Sequence, residues 1–391
     1  MARWQDADSA GADRVTPVEV FFDLVFVFTL TQLTGVLEAD LTLAGLGRVL
    51  LVFGILWWMF SGYVWLANHV PPRAPSHKLL LFVGMAGFLI AAVGIPPAFD
   101  GTGVVFGLGY LVVICVHLLL FTQADVGRAA LGWLAVYNLA SALLVVVGGF
   151  VGGAARTTIW LVALLGQGVL PFLVPRLSWV HVLSSYHLVP GHFVERLGLL
   201  VIIALGESVV AIGIGVDVDH LGAGTLIMLV LALALALPAA LWWTYFTDTT
   251  AAERVMAVAG GERRIRLALW IGFAHIPLLL GIVVAAAGIH NAIAHPADPA
   301  TWPSAVALAG GVAAFLAGVT VDRRVLGVRP VWTRLLTIAG VLVTVPIGGY
   351  LNAAAQLAVI VAVVVAMLVP ERGRHAELTG ARSSELPQGV G

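Results

Sequence analysis

Twelve long apolar stretches, most close to twenty residues and separated by short connections, run through this chain of 391 residues. About 20 consecutive apolar residues in helical form cross a hydrocarbon layer roughly 30 Å thick. Inside such a layer the backbone must satisfy its own polar groups, which selects the helix. The stretches fall at 17–38, 45–68, 78–98, 103–124, 129–150, 156–175, 194–216, 222–247, 266–288, 303–321, 331–350 and 352–369. With 60% hydrophobic and only 10% charged residues, a water-soluble domain is excluded. The sequence reads as an all-α, polytopic membrane protein of about 12 transmembrane helices, with the lipid bilayer as its first partner.

Lys and Arg are spread unevenly over the connections. Counted from the N-terminus, the even-numbered connections and both tails hold 18 of the 20 cations, while the odd-numbered ones hold only Arg48 and Arg156. Positive residues near span ends are retained in the cytoplasm, so both termini are expected there and the span number is even. The first 16 residues are polar, and Glu19 and Asp23 open the first span. That is unlike a signal-peptide core, so the span is read as uncleaved. Residues 371–391 mix charge with Gly, Ser and Pro and read as a disordered cytoplasmic tail. A net charge of −1 argues against a nucleic-acid surface. The single cysteine, Cys115, can form no internal disulfide.

The two halves resemble each other. Val18-Glu19 opens span one and Val194-Glu195 opens span seven; Trp57-Trp58 in span two is echoed by Trp242-Trp243 in span eight. Leu79 to Gly87 aligns with Leu267 to His275, Gly148-Gly149-Phe150 with Gly348-Gly349-Tyr350, and Leu173-Val174-Pro175 with Leu368-Val369-Pro370. This divides the chain into a segment 1–16, a six-helix repeat 17–176, a cytoplasmic linker 177–193, a second six-helix repeat 194–370 and the tail. Six is even, so both repeats insert in the same direction, related by a pseudo-two-fold axis along the membrane normal.

Charges inside an apolar span cost several kcal/mol unless protein or water shelters them, which makes them candidates for function. Glu19 and Asp23 stand four residues apart on one face of span one. Glu195 and Arg196 open span seven, and Glu207 lies twelve residues beyond Glu195, about 18 Å along a helix axis. Glu19 fits either a helix-dipole contact or an ion site. Arg196 fits either a structural lock on Asp23 or Glu19, or a place in a pathway. Glu207, between Gly206 and Ser208, is the strongest candidate for handling a proton or cation. His117 and His275 lie deep in apolar sequence and His192 just before span seven; each is either a proton relay or a satisfied structural group. His187 and His192 are five apart, out of helical phase, so no metal centre is expected. Trp57, Trp58, Trp65, Trp242, Trp243 and Tyr245 read as interfacial belts or core packing, and Pro238, Pro277 and Pro346 as kinks or breaks. Phosphate-loop, nucleophile-elbow and zinc-protease patterns are missing, so no catalytic residue or cofactor is assigned and an enzyme is not expected.

The segment Val18-Glu19-Val20-Phe21-Phe22-Asp23-Leu24-Val25-Phe26-Val27 resembles the opening signature of the bacterial low temperature requirement protein A (LtrA) family. The run from His192 through Glu195-Arg196-Leu197-Gly198 to Gly206-Glu207-Ser208 is similar to that family's second signature. The resemblance covers nearly the whole chain and implies a multi-span protein of the bacterial inner membrane. A fainter likeness, through Phe21-Phe22-Asp23, is to a potassium-channel family of lysosomes and bacteria whose repeats begin Phe-Ser-Asp. Duplication and buried carboxylates favour a secondary transporter of a small solute, linked to protons or cations, with its pathway between the repeats. A channel, a membrane enzyme pairing Glu207 with His117 or His275, and a non-transporting stress-response component are the alternatives. Any of them is compatible with an oligomer.

Overall fold

The computed structural model describes residues 14–123, 128–169, 188–214 and 225–384. Among these residues there are helices and connections but no strands. The first half holds α1 (Pro17–Ala39), α2 (Leu43–His69), α3 (Pro75–Val93), the one-turn α4 (Pro97–Asp100), α5 (Val104–Phe121), α6 (Arg128–Phe150) and α7 (Gly153–Gly168). The second holds α8 (Pro190–Ile214), α9 (Thr225–Phe246), the short α10 (Thr249–Val258), α11 (Gly261–Ala294), α12 (Trp302–Val325), α13 (Trp332–Leu342), α14 (Val345–Tyr350) and α15 (Ala353–Ser384). Each of the twelve apolar stretches overlaps helix, and among the described residues eight helical runs are long and apolar enough to cross a membrane.

Several boundaries differ from the sequence reading. Helix α8 begins at Pro190, inside the segment read as linker, because proline is preorganised for the first helical position. The stretch 331–350 is split between α13 and α14 at Val343-Thr344, and Pro346 sits in the first turn after the break. Pro238 and Pro277 lie inside helices that continue past them. At the C-terminal end, α15 runs to Ser384, into the segment read as tail. Glu371, Arg372, Ala376, Glu377 and Leu378 are good helix formers and extend it. Leu173-Val174-Pro175 and residues 177–187 of the 177–193 linker lie outside the described residues.

Within each half the helices pack as follows. Helix α3 packs on α5, α5 on α6, α6 on α7, α1 against α3 and α2 against α7. In the second half α11 packs on α12, α12 on α13, α13 on α15, α8 against α11 and α9 against α15. The tightest contacts rest on glycine. A Cβ added to Gly109 would stand 2.4 Å from the Ala91 amide nitrogen, and one added to Gly311 would stand 2.2 Å from that of Ala285. At Gly94 and Gly288 it would stand 2.5 Å from the amide nitrogens of Phe106 and Leu308. Ala91 and Gly94 precede Ala285 and Gly288 by 194 residues, six more than the offset that pairs Gly87 with His275. Small residues that let helix backbones touch are a device of membrane bundles, where dispersion between backbones replaces the hydrophobic effect.

The two halves meet where α1 lies against α8 and α11. Glycine carbonyls also tie connections to helix ends. The Gly103 amide donates to Gly149 O at 3.2 Å, and the Ala300 amide donates to Gly348 O at 2.9 Å.

Candidate functional site

The junction of α1 and α8 is built from the start of each helix. Thr16 caps α1 and Pro17 occupies its first position, which places Glu19 in the third. From there the carboxylate reaches back: Glu19 Oε2 accepts the Thr16 amide at 2.9 Å and the Thr16 hydroxyl at 2.7 Å. This is a capping box, which satisfies donors that the first turn leaves open. The other oxygen, Oε1, faces α8 and accepts from Arg196 Nη1 at 3.2 Å and from His192 Nε2 at 3.1 Å. Glu19 is thus both a helix cap and an ion-pair partner.

Asp23, one turn deeper and wholly buried, accepts both Arg196 Nε at 3.3 Å and Arg196 Nη2 at 3.1 Å on its Oδ1. Its Oδ2 has no hydrogen-bond partner. Arg196 also donates to the Tyr63 carbonyl at 3.4 Å and lies over the rings of Phe22 and Phe60. Pairing at this depth keeps the charges tolerable, and the aromatic faces add a cation–π contact.

His192 completes the cluster through Asn68. The Asn68 side chain accepts the Val189 amide on Oδ1 at 2.8 Å and donates Nδ2 to the Val189 carbonyl at 3.0 Å. The same Nδ2 stands 3.1 Å from His192 Nδ1. An amide nitrogen only donates, so Nδ1 must accept and the imidazole proton sits on Nε2, pointing at Glu19. Two carboxyl groups thus face one guanidinium, with the His192 imidazole set between Glu19 and Asn68.

Glu207 lies further along α8, half-buried, and accepts the Thr31 hydroxyl of α1 on Oε1 at 2.8 Å. Ser208, beside it, donates back to the Ala204 carbonyl at 3.4 Å. Glu195, by contrast, is exposed and accepts the Val15 amide at 3.3 Å, outside the cluster. The structure thus gathers Glu19, Asp23, His192 and Arg196, strings Glu207 along the same interface and leaves Glu195 aside.

The deep histidines lie elsewhere. His275 donates Nδ1–H to the Ile271 carbonyl at 2.8 Å and accepts the Tyr245 hydroxyl on Nε2 at 3.0 Å, so both nitrogens are satisfied. His117 packs against Tyr63 and Phe121, and neither of its ring nitrogens has a hydrogen-bond partner. Glu207 lines neither the cavity of His117 nor the pocket of His275. Of the tryptophans, Trp57 is core, Trp58 half-buried, and Trp242 and Trp243 exposed on the bundle surface. No group of three or more metal-ligating side chains occurs among the described residues.

Sequence reasoning missed a second buried ionic group. Asp248, just beyond α9, forms an ion pair with Arg323 of α12 at 3.0 Å and accepts a hydrogen bond from Arg334 of α13 at 3.4 Å, both on Oδ2. Arg334 is fully buried and also donates to the Thr244 carbonyl. Both arginines had counted only as connection charges. The missed signal was Asp248 itself, an acid directly after an apolar helix that ends in aromatics. Both exceptions to the charge bias are held too. Arg48 pairs with Asp40 at 3.3 Å, and buried Arg156 donates to the carbonyls of Gly148, Val151, Ala98 and Gly101.

Comparison with known proteins places the chain. It is 27% identical over 333 residues to a Rhizobium meliloti (strain 1021) protein that carries the name Uncharacterized protein RA0937, with 82% of this chain and 80% of that one covered. No solved structure matches it. Residues 14–369 match the family described as bacterial low temperature requirement A protein, LtrA, a span that takes in both acidic helix openings and the ionic junction between them. With that match over nearly its whole length, the chain belongs to the LtrA family of membrane proteins.

Proposed function

We propose that this protein is a secondary transporter of the bacterial inner membrane that couples movement of a small solute to a proton or cation. The observation that carries the reading is the unbalanced ionic junction between α1 and α8. It holds two buried carboxyl groups against one guanidinium, with Asp23 Oδ2 left without a partner. A buried carboxylate with an open oxygen is stabilised by taking up a proton or cation, and gives it back when its surroundings change. Glu207, held by Thr31 on the same interface, is the second station.

The reading takes the molecule as twelve spans in two parallel six-helix repeats, 17–176 and 194–370, with both termini cytoplasmic. Support comes from the matching helix contacts in the two halves and from the paired glycine contacts at Gly109 and Gly311. The 18-to-2 distribution of cations supports the orientation. Arg196 is the hinge of the cycle: it holds Asp23 and Glu19 together until a proton or cation replaces it.

Reconstituted protein on a solid-supported membrane tests this. Jumps of pH, alkali cations and a panel of amino acids, sugars and small amines should give transient currents for at least one solute, with a pH-dependent size. Asp23→Asn and Glu207→Gln should each abolish them. A protein that is silent to the whole panel, or an Asp23→Asn variant whose currents equal those of the native chain, would leave the junction a purely structural tie.

A further inference from the structure

We propose that a second, uncharged site lies away from the ionic junction and binds a small planar aromatic molecule that carries a hydrogen-bond donor. A cavity of about 180 Å³ opens between the first half, through α2, α5, α6 and α7, and α11 of the second half. Its size exceeds the ~150 Å³ apolar cavity that is known to take up benzene. Trp57, Trp58, Trp65, Phe121 and Phe273 contribute to its walls, and no carboxylate, Lys or Arg is among its described lining. Such a chamber excludes ions and favours a flat ring, which can stack on or meet the aromatic faces edge-on.

His117 supplies the polar contact. It is buried, it lines the cavity, and neither ring nitrogen has a hydrogen-bond partner of good geometry, the Gly62 backbone alongside being poorly aligned. A buried imidazole without partners is costly, and native structures rarely leave one so. A neutral ring keeps one acceptor nitrogen, which an N–H or O–H of the guest would satisfy. The cavity has room on the α11 side as well: a Cβ added to Gly272 would meet nothing within 4 Å. This inference does not depend on the transport reading, because none of the junction residues lines the cavity.

Indole, with its ring N–H, and indene, the same shape without that donor, separate the terms. Titrated into the full-length protein in detergent by calorimetry, with the heat of partition into empty micelles subtracted, indole should bind saturably. It should bind roughly three- to tenfold more tightly than indene, the worth of one hydrogen bond. His117→Phe should erase that difference while the variant's melting temperature shows it folded. Gly272→Phe should fill the space and abolish binding of both; Gly272→Leu makes the same test with less bulk if the phenylalanine variant fails to fold. Absence of saturable indole binding, equal binding of indole and indene to the native chain, or binding unaffected by filling at 272 would overturn the proposal.

Discussion

Thr31 donates its hydroxyl to Glu207 across a separation of 176 residues, the same offset that carries Val18-Glu19 onto Val194-Glu195. The bond ties α1 to α8 beyond the ionic junction of Glu19, Asp23 and Arg196, and the proposed two-repeat arrangement would make Thr31 and Glu207 counterparts. Glu207 is held there by a neutral hydroxyl, so this contact places no opposite charge against its carboxyl group.

Glu207→Gln should accordingly leave the fold intact. Glutamine keeps an acceptor for the Thr31 hydroxyl, so the change in stability should stay below about 1 kcal/mol. Thermal melting of the purified protein checks this, and a large drop would show that the negative charge itself is structural.

Arg196→Ala should behave in the opposite way. It leaves Glu19 and Asp23 buried together with no cation between them, a loss of roughly 3–5 kcal/mol for breaking a buried pair. Arg196→Lys should restore little, since one ammonium cannot reproduce the several directed bonds that the guanidinium makes. Adding Asp23→Asn to Arg196→Ala should recover part of the loss. Equal melting temperatures for the single and double variants would contradict this account.

Glycine contacts make a graded test of the helix packing. Gly311→Ala forces a methyl group onto the Ala285 backbone and should cost about 1–3 kcal/mol, whereas Gly310→Ala, with open space around it, should be nearly neutral or slightly stabilising. Melting curves that rank the two the other way would exclude the close approach of α11 and α12.

Asp248→Asn should destabilise the second half by roughly 3–5 kcal/mol, because the charge that Arg323 and Arg334 share is removed. Limited proteolysis should then cut at the α9–α10 and α12–α13 connections first. A digestion pattern equal to that of the native chain would argue against this anchor.

The helices and their approximate ends were legible because an apolar run near twenty residues has few other solutions in lipid. The pairing of Arg196 with Asp23 and Glu19 was also within reach, since five ionisable groups in apolar helices need partners. Three things were not. The start of α8 at Pro190 depended on local capping, and it turned His192 from a loop residue into a member of the cluster one turn before Arg196. The Asp248–Arg323–Arg334 group joins residues 75 and 86 positions apart whose individual settings look like ordinary helix ends. The outward direction of Glu195 was the third, since its neighbour Arg196 faces inward and consecutive helical positions point about 100° apart.

Asn68 grips the residue just ahead of α8 with both atoms of its amide, accepting from Val189 and donating to it. The last turn of α2 and the first turn of α8 are therefore clamped like two ends of one lever. Any tilt of α8 that opened its seam with α1 would have to carry the tail of α2 along, so a motion begun at Asp23 would be felt in the aromatic chamber walled by Trp57, Trp58 and Trp65.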